Sequence, residues 1–338
     1  MPHSDIFFPA IDRAVSLLTA GELVAFPTET VYGLGADAAN TAAVGRIFAA
    51  KGRPADHPVI VHLAQGSDMP RWAADIPAVA WELAEAFWPG PLTLILKKQA
   101  WVAPIVTGGQ ASIGLRVPAH PVAQNLLHAF AKVSPTAGIA APSANRFGRV
   151  SPTLAAHVRE ELGEQVAMVL DGGASSVGIE STILDLTRLD DVGAVILRPG
   201  HVAPVELEKV LGSLPVHLLA KRKKTSLSTP RVSGSLASHY APVTPLVLCP
   251  AEALSPLLLR EAANGTRLGV LSYRAEPADI APHLWRNLTP SPKAYAHALY
   301  ATLRELDSYG LAQIVVETPP DTPAWQAILD RLSRAAMK

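Results

Sequence analysis

Apolar and polar positions along the first 200 residues form two kinds of pattern, one typical of strands and one typical of helices. Short apolar runs such as "ELVAF" and "LTLIL" predict buried strands, whereas "PVAQNLLHAFA" has the spacing of an amphipathic helix. Several strands follow one another without a helix between them, as in "STILDLT" and "AVILRPG". This order favours a twisted mixed α/β sheet with flanking helices over a strictly doubly wound one.

The pattern of strands and helices ends near residue 213 and begins again near residue 245. The stretch "AKRKKTSLSTPRVSGSLASHYAPVTP" is basic and then rich in Ser, Gly and Pro, with no hydrophobic periodicity, which is typical of a linker. Beyond it, strand and helix patterns alternate again. We therefore predict a larger domain over 1–212, a linker over 213–244 and a small Rossmann-like α/β domain over 245–338.

Composition narrows the classes of protein. Lys plus Arg equals Asp plus Glu at 29 each, so no overall charge draws the chain to nucleic acid or membrane. One cysteine, Cys249, excludes an intrachain disulfide and a cysteine-based metal site. No secretory signal is visible, and no apolar run reaches the ~18 residues of a membrane span. The expected location is cytoplasmic, with no membrane partner.

Four polar clusters occur at predicted strand ends, where ligands bind in open α/β sheets. They are "PTETVYGLG", "KGRPADHPVIVH", "PSANRFGRVSPT" and "GIESTILDL" with "LRPG". Lys51 and Arg53, at a helix end, are interpreted either as solvated complements of the helix dipole or as a two-cation clamp for a polyphosphate. His62, within "VIVHL", is either a satisfied half-buried histidine or a ligand contact.

Standard catalytic motifs are missing from the sequence. It contains no Walker A motif, no complete Rossmann fingerprint, no GxSxG elbow and no zincin histidine pair. A nucleophile–base triad cannot be assembled from spacing alone.

The ordered set of motifs resembles one family. "PTETVYGLG", "KGRPADHPVIVH", "WPGPLTLIL", "LRVPAHP", "APSANRFGRVSPT" and "GIESTILDL" occur in the order found in the YrdC-like family of threonylcarbamoyl-AMP synthases, over about residues 8–205. The segment "SGSLASHYAP" and the added C-terminal unit resemble the larger, two-domain members. The resemblance implies a YrdC-like sheet with a concave ligand groove.

The resemblance also implies an activity. Members of the family make threonylcarbamoyl-AMP and pyrophosphate from L-threonine, bicarbonate and ATP, with Mg²⁺ accompanying ATP. A downstream transferase complex uses the product to modify the adenosine next to the anticodon of certain tRNAs. Such chemistry needs charge neutralisation, positioning and exclusion of water more than covalent catalysis.

Matching motif to motif assigns roles to residues of this chain. The resemblance implies that L-threonine is held by Thr30, Tyr32, His62 and Ser181. The nucleotide site is implied to contain Lys51, Arg53, His57, Ser112, Ala141, Ser143, Asn145, Ser151 and Arg198. Lys51 and Arg53 are expected to neutralise the phosphates as the catalytic cations, and no metal ligands are identified. His239 and Tyr240 match a lid formed by the linker. Arg116 is expected to be structural, anchoring a strand end.

The chain departs from the family pattern at two positions. His57 stands where many members have asparagine, and Ser233 stands where the linker motif usually has proline. The basic run 221–224 is interpreted as solvated loop charge, with a weak tRNA contact as the alternative.

Two other functions remain open at this point. One is a non-catalytic module of the same fold that binds tRNA or double-stranded RNA, against which the neutral charge argues. The other is a carbamoyl-adenylate site like that of hydrogenase-maturation carbamoyltransferases, whose zinc-finger-like cysteines and acylphosphatase segment are absent here.

Overall fold

The computed structural model describes residues 4–219, 229–234, 238–277 and 282–337, with the side chains of 4–8 left out. The chain divides into two compact units. The first contains Met1–Phe147, Pro152–Ser176 and Glu180–Ser235, and the second contains Gly148–Ser151, Val177–Ile179 and Leu236–Lys338. The predicted weak tRNA contact at 221–224 lies outside the described residues.

The first unit is built on one large sheet. Its strands are β1 Val24–Phe26, β2 Gly33–Asp37, β3 Ile60–Leu63, β4 Ala73–Ala74, β5 Leu92–Lys98, β6 Ser112–Arg116, β7 Gly138–Ala140, β8 Met168–Val169, β9 Thr182–Asp185, β10 Ala194–Arg198 and β11 Val216–Leu218. The strand order is β11-β10-β9-β5-β6-β3-β7-β2-β1-β8, with β4 beside β5. Parallel pairs such as β3–β6 adjoin antiparallel pairs such as β5–β6, which confirms the predicted mixed sheet.

Helices cover the sheet unevenly. They are α1 Ser4–Thr19, α2 Thr41–Lys51, α3 Ala78–Phe87, α4 Pro104–Thr107, α5 Pro121–Ala131, α6 Ala155–Leu162, α7 Leu189–Val192 and α8 Pro204–Leu211. Apolar residues of α2, α3 and α8 pack in one core with Val61, Leu94 and Leu115 of the central strands. Apolar residues of α1 and α5 form a second core with β1 and β7.

The other face of the central strands is where the polar side chains lie. Alternate residues of a strand point to opposite faces, so His62 and Arg116 face away from Val61 and Leu115. The register places His62 opposite Arg116, and Gly114 opposite both Ile60 and Ile95. Gly114 presents no side chain, which leaves this face concave. The sheet thus positions a groove with polar residues at one end.

Three features differ from the sequence-based prediction. "GLGAD", which has no strand pattern in the sequence, forms β2, because a side chain at Gly35 would come within 2.8 Å of the Phe26 ring and glycine lets these strands approach closely. The spacing of "IDRAVSLLT" predicts a helix over 11–19, but helix α1 begins at Ser4. Within the predicted linker, residues Val216–Leu218 form a strand parallel to β10.

The second unit is a smaller α/β layer structure. Its strands are β12 Leu246–Cys249, β13 Gly269–Ser272, β14 Leu284–Asn287 and β15 Ile314–Glu317, and its helices are α9 Ala251–Ala263, α10 Pro292–Asp307 and α11 Gln326–Ala336. The order β12-β15-β13-β14 is parallel throughout, as the Rossmann-like prediction requires. Strand β14 was not predicted, since "LWRN" is short and half exposed.

Candidate active site

The loop between β1 and β2 is ordered by hydroxyl groups. Thr28 Oγ1 accepts hydrogen bonds from the backbone N–H groups of Thr30 and Val31, both at 3.2 Å, and donates to Val31 O at 2.6 Å. Because that donation uses its only proton, the 2.8 Å bond between Thr28 and Thr30 is donated by Thr30. The Thr30 hydroxyl is fully buried, and because its proton is used, its oxygen can act towards other groups only as an acceptor.

A buried ion pair fixes this loop to the sheet. Arg116 Nη2 lies 2.7 Å from Glu29 Oε1, with side-chain exposures of 5% and 8%. Arg116 also donates to Thr30 Oγ1 at 2.9 Å and to Gly90 O at 3.2 Å. The second Glu29 oxygen accepts from Ala119 N at 3.0 Å. Arg116 therefore anchors the strand end, as expected, and also orients the hydroxyl of Thr30.

His62 lies on the same sheet face, beside Arg116. Burial lowers the pKa of His62 to about 3, and the positive charge of Arg116 adds to the effect. The ring is therefore neutral at pH 7 and offers one N–H donor and one acceptor. Its buried Nδ1 has no hydrogen-bond partner among the described residues.

Ser181 is joined to two neighbouring strands. Its Oγ is 2.8 Å from Thr93 Oγ1 and accepts from Arg198 Nη2 at 3.1 Å. Arg198 also donates from Nε and Nη2 to Ser181 O, at 3.1 and 3.0 Å. The hydroxyl is thus held between β5 and β10 and is fully buried.

Tyr32 is directed elsewhere. Its hydroxyl donates to Gly173 O at 2.8 Å and accepts from Gly172 N at 3.3 Å. Burial raises the pKa of Tyr32 to about 12, so the phenol keeps its proton. Tyr32 therefore supports the 172–173 loop, and its contact with threonine stays a prediction.

The two predicted catalytic cations are buried rather than solvated. Lys51 is 3% and Arg53 6% exposed, which makes the interpretation as a solvated helix end wrong. Lys51 Nζ donates to the main-chain oxygens of Ser143 and Asn145, both at 2.5 Å. Arg53 donates to Pro58 O at 2.8 Å and to Ser233 Oγ at 3.3 Å.

The segment 231–233 lies over the concave sheet face. Arg231 exchanges hydrogen bonds with Gln110 at 2.6 and 3.0 Å, and Val232 is buried beside Ile95 and Ile183. Arg198 Nη1 donates to Ser233 O at 3.0 Å, so Arg53 and Arg198 meet at Ser233. A small cavity of about 20 Å³ remains beneath; its lining includes Pro58, Ile60, Ile95, Ser112, Gly114, Ile183, Arg231, Val232 and Ser233.

The remaining predicted nucleotide residues of the first unit border this region. Ser143 bridges to Gly33, and Ala141 N donates to Ile60 O at 2.9 Å. Asn145 Nδ2 donates to Arg146 O at 2.7 Å. His57 is half-buried edge-on against Phe147, and burial followed by the charge of Arg53 lowers its pKa.

Three predicted residues belong to the second unit. Ser151 is fully buried and its main-chain oxygen accepts from Arg304 at 3.5 Å. His239 and Tyr240 lie edge to face at 4.2 Å, and Arg331 stacks 5.1 Å from the Tyr240 ring centre. Both predicted lid residues are buried, and their lid role stays a prediction.

The structure adds residues that the sequence interpretation missed. Glu29, Thr93 and Ser233 support Arg116, Ser181 and the two arginines respectively. Nothing in the local pattern distinguishes Thr93, because its partner Ser181 is distant in the sequence, and Ser233 stood out as a departure from the linker motif rather than as a partner of arginines. Glu29 alone had a signal, as a carboxylate within a stretch that is otherwise buried.

The described residues contain neither a candidate metal cluster nor a candidate membrane-spanning helix. No group of three or more His, Cys, Asp or Glu side chains is placed to hold a metal ion. In the same part of the chain, no helix combines the length and apolar character needed to cross a bilayer.

Comparison with known proteins follows the same division of the chain. The Sua5/YciO/YrdC family model, described as telomere recombination, matches residues 16–200, and the model for the threonylcarbamoyl-AMP synthase C-terminal domain matches 202–337. Threonylcarbamoyl-AMP synthase of Bacillus subtilis is 40% identical over 97% of this chain and 93% of its own length. Threonylcarbamoyl-AMP synthase of Pyrococcus abyssi is 37% identical over 96% of this chain and 93% of its own length.

A solved structure supports the same relation. The crystal structure of Pyrococcus abyssi Sua5 complexed with L-threonine superposes with a TM-score of 0.85 at 36% identity, covering 96% of this chain and 94% of that one. The chain belongs to the YrdC-like family of threonylcarbamoyl-AMP synthases, in its larger form with a C-terminal Sua5 domain.

Proposed function

We propose that this protein synthesises threonylcarbamoyl-AMP from L-threonine, bicarbonate and ATP and releases pyrophosphate, for threonylcarbamoyladenosine modification of tRNA. The observation that carries the proposal is that two groups of buried polar side chains lie on one sheet face. In the first group, Arg116 donates to Thr30 and lies beside His62; in the second, Ser181 is bonded to Thr93 and Arg198. A relative over nearly the full chain was solved with L-threonine.

The amino-acid end consists of groups suited to a small zwitterion with a hydroxyl. The Thr30 oxygen can accept from an amine, since its own proton goes to Thr28. Neutral His62 and the Ser181 hydroxyl add a donor and an acceptor without a further charge. Buried groups of this kind reject an amino acid that leaves them unpaired, which favours threonine over an apolar analogue.

The nucleotide end consists of cations. Arg53 and Arg198 approach the same point, the position of Ser233. Guanidinium groups bind phosphate oxygens in bidentate fashion, so this pair suits the triphosphate, with Ser112, Ser143, Asn145 and His57 around it. Neutralising the phosphates at the α-phosphorus lowers the barrier to displacement of pyrophosphate.

The reaction follows from holding both ligands in one groove. The neutral threonine amine attacks the bicarbonate carbon and water leaves, which gives a carbamate. A carbamate oxygen then attacks the α-phosphorus, and the bond to pyrophosphate breaks as pyrophosphate leaves. The carbamate is labile in water, so the segment 231–233 over the groove serves to exclude solvent. Mg²⁺ is treated as part of the Mg-ATP substrate, coordinated by phosphate oxygens and water.

The wider setting is proposed by the same reasoning. A downstream tRNA threonylcarbamoyl transferase complex would consume the product, because the adenylate is an activated acyl group without another use in this chain. We expect the protein to act in the cytoplasm. A weak contact with tRNA through the basic run 221–224 is a separate proposal.

The test is a pyrophosphate assay with single omissions. Purified protein with L-threonine, bicarbonate and Mg-ATP should release pyrophosphate, and omitting threonine or bicarbonate should abolish release. L-Valine, which replaces the threonine hydroxyl by a methyl group, is the matched control and should not substitute. Release that is independent of threonine, or no release at all, contradicts the proposal.

A further inference from the structure

The ammonium group of Lys51 is bound by main-chain carbonyls. Its Nζ donates to Ser143 O and Asn145 O, and the side chain is 3% exposed. Among the residues that the structure describes, no ion pair to Lys51 occurs. The two carbonyl dipoles are therefore the direct partners of the amino group, whose pKa burial lowers well below the ordinary value for lysine.

The position of Lys51 on its helix directs it to this loop. Lys51 is the last residue of α2, and Gly52 follows in the left-handed conformation with φ of 62°, which ends the helix. Lys51 O accepts from Phe147 N at 2.8 Å. Main chain and side chain of Lys51 thus both bind the segment 143–147.

The segment fixed in this way also contacts the loop between β1 and β2, which contains Thr30, and the start of β2. Ala144 N donates to Tyr32 O, and Leu34 N donates to Pro142 O, both at 2.8 Å. Two carbonyls on either side of Ala144 that converge on one ammonium leave the intervening backbone little freedom. Without the lysine, two buried carbonyls would lose their partner.

Arg53 is arranged differently, only two residues further along. Its guanidinium donates to the Ser233 hydroxyl, an oxygen of the segment over the groove, and to Pro58 O. Arg53 therefore faces the groove, whereas two N–H bonds of Lys51 are committed to the loop.

We propose that Lys51 is a positioning residue that sets the backbone of residues 143–145 for the nucleotide, while Arg53 and Arg198 contact the phosphates. The proposal rests on the proposed function. It replaces the expectation that Lys51 and Arg53 form a two-cation phosphate clamp.

The experiment compares ligands that differ in their number of phosphates. Binding of adenosine, AMP and a non-hydrolysable ATP analogue is measured by calorimetry for the wild type, Lys51→Met and Arg53→Met. A displaced loop reshapes the whole nucleotide site, so Lys51→Met should weaken all three by a similar factor, on the order of tenfold. Arg53→Met should leave adenosine nearly unchanged and weaken the ATP analogue most.

A second variant separates charge from hydrogen bonding. Lys51→Gln removes the charge but keeps an amide with two N–H donors, so it should recover part of the affinity lost in Lys51→Met, equally for the three ligands. It also supplies the comparison with the wild type if Lys51→Met does not fold. A loss in either variant that grows with phosphate number, with adenosine unaffected, overturns the positioning role.

These outcomes can be told apart from failure of the proposed function. Binding needs no turnover, so a phosphate-dependent loss would overturn only the role of Lys51. A wild type that binds neither adenosine nor the ATP analogue would overturn both proposals.

Discussion

The amino-acid end and the nucleotide end of the proposed site are constructed from different kinds of contact. At the amino-acid end, side chains that are distant in the sequence bind one another, as in Thr30 with Arg116 and Thr93 with Ser181. At the nucleotide end, cations bind main-chain oxygens of loops, as Lys51 and Arg198 do. The first end is therefore fixed by contacts between side chains, and the second by contacts between side chains and the backbone of loops.

The largest expected effect concerns the ion pair that fixes the amino-acid end. Glu29→Gln leaves Arg116 buried without its counter-charge and should lower the free energy of unfolding by about 3–5 kcal/mol. The matched control is Glu22→Gln, whose partner Arg46 lies in a pair that is 51% and 44% exposed. That control should cost less than about 1 kcal/mol in urea unfolding. Equal losses would mean that the buried pair has no special role.

The second prediction concerns pH and His62. The native pKa is about 3, whereas the unfolded ring takes up a proton near pH ~6.5. The unfolded state thus binds more protons between these values, so stability falls as pH falls. The contribution is absent above pH ~6.5 and should reach about 2 kcal/mol between pH ~6.5 and ~4.5.

The check on His62 is urea unfolding of the wild type and of His62→Gln at both pH values. All other titrating groups are common to the two proteins. The difference between their changes in unfolding free energy with pH therefore reports the contribution of the His62 ring alone. A variant that loses as much stability on acidification as the wild type would contradict the buried, neutral state of His62.

A smaller effect is expected at Thr93. Thr93→Val keeps the shape of the side chain but removes the hydroxyl bonded to Ser181. Losing one buried hydrogen bond should weaken threonine binding by about 1 kcal/mol, roughly fivefold, with ATP affinity unchanged. Thr107→Val, which removes a hydroxyl that donates to Pro104 O within α4, is the control in the same titration. A loss of ATP affinity in Thr93→Val would break the separation of the two ends.

The smallest effect is expected at Ser233. Its hydroxyl accepts from Arg53 at 3.3 Å, while its main-chain oxygen, which a substitution retains, accepts from Arg198 at 3.0 Å. Ser233→Ala should therefore change the KM for ATP by no more than about threefold, measured by pyrophosphate release. A change above tenfold would show that this hydroxyl contributes more to the nucleotide end than its geometry suggests.

Sequence patterns were sufficient for much of the fold. Helix α5 has the predicted bounds Pro121–Ala131, and the side chain of Asn40 caps α2 by accepting from Ala42 N and Ala43 N. Both signals are local, because spacing and capping depend on residues within one turn. Strand β2 escaped prediction because its glycines are explained by Phe26 on the neighbouring strand, a partner that no local pattern identifies.

The site was predictable in part for the same reason. The motif resemblance marked Thr30, Lys51, Ser143 and Ser181, and the structure connects each to the same sheet face or its bordering loops. Their roles remain predictions. The resemblance could not show that the amino group of Lys51 and the hydroxyl of Tyr32 donate to main-chain carbonyls. The carbonyl bound by Lys51 is 92 positions away in the sequence, and the one bound by Tyr32 is 141 positions away.

The most direct test of the two-ended site is calorimetric titration of Ser181→Ala and Arg53→Met, each with L-threonine and with a non-hydrolysable ATP analogue. The account predicts a crossed result: Ser181→Ala loses threonine affinity by about tenfold or more and keeps most of its ATP affinity, and Arg53→Met does the reverse. Equal losses of both ligands in both variants would contradict it.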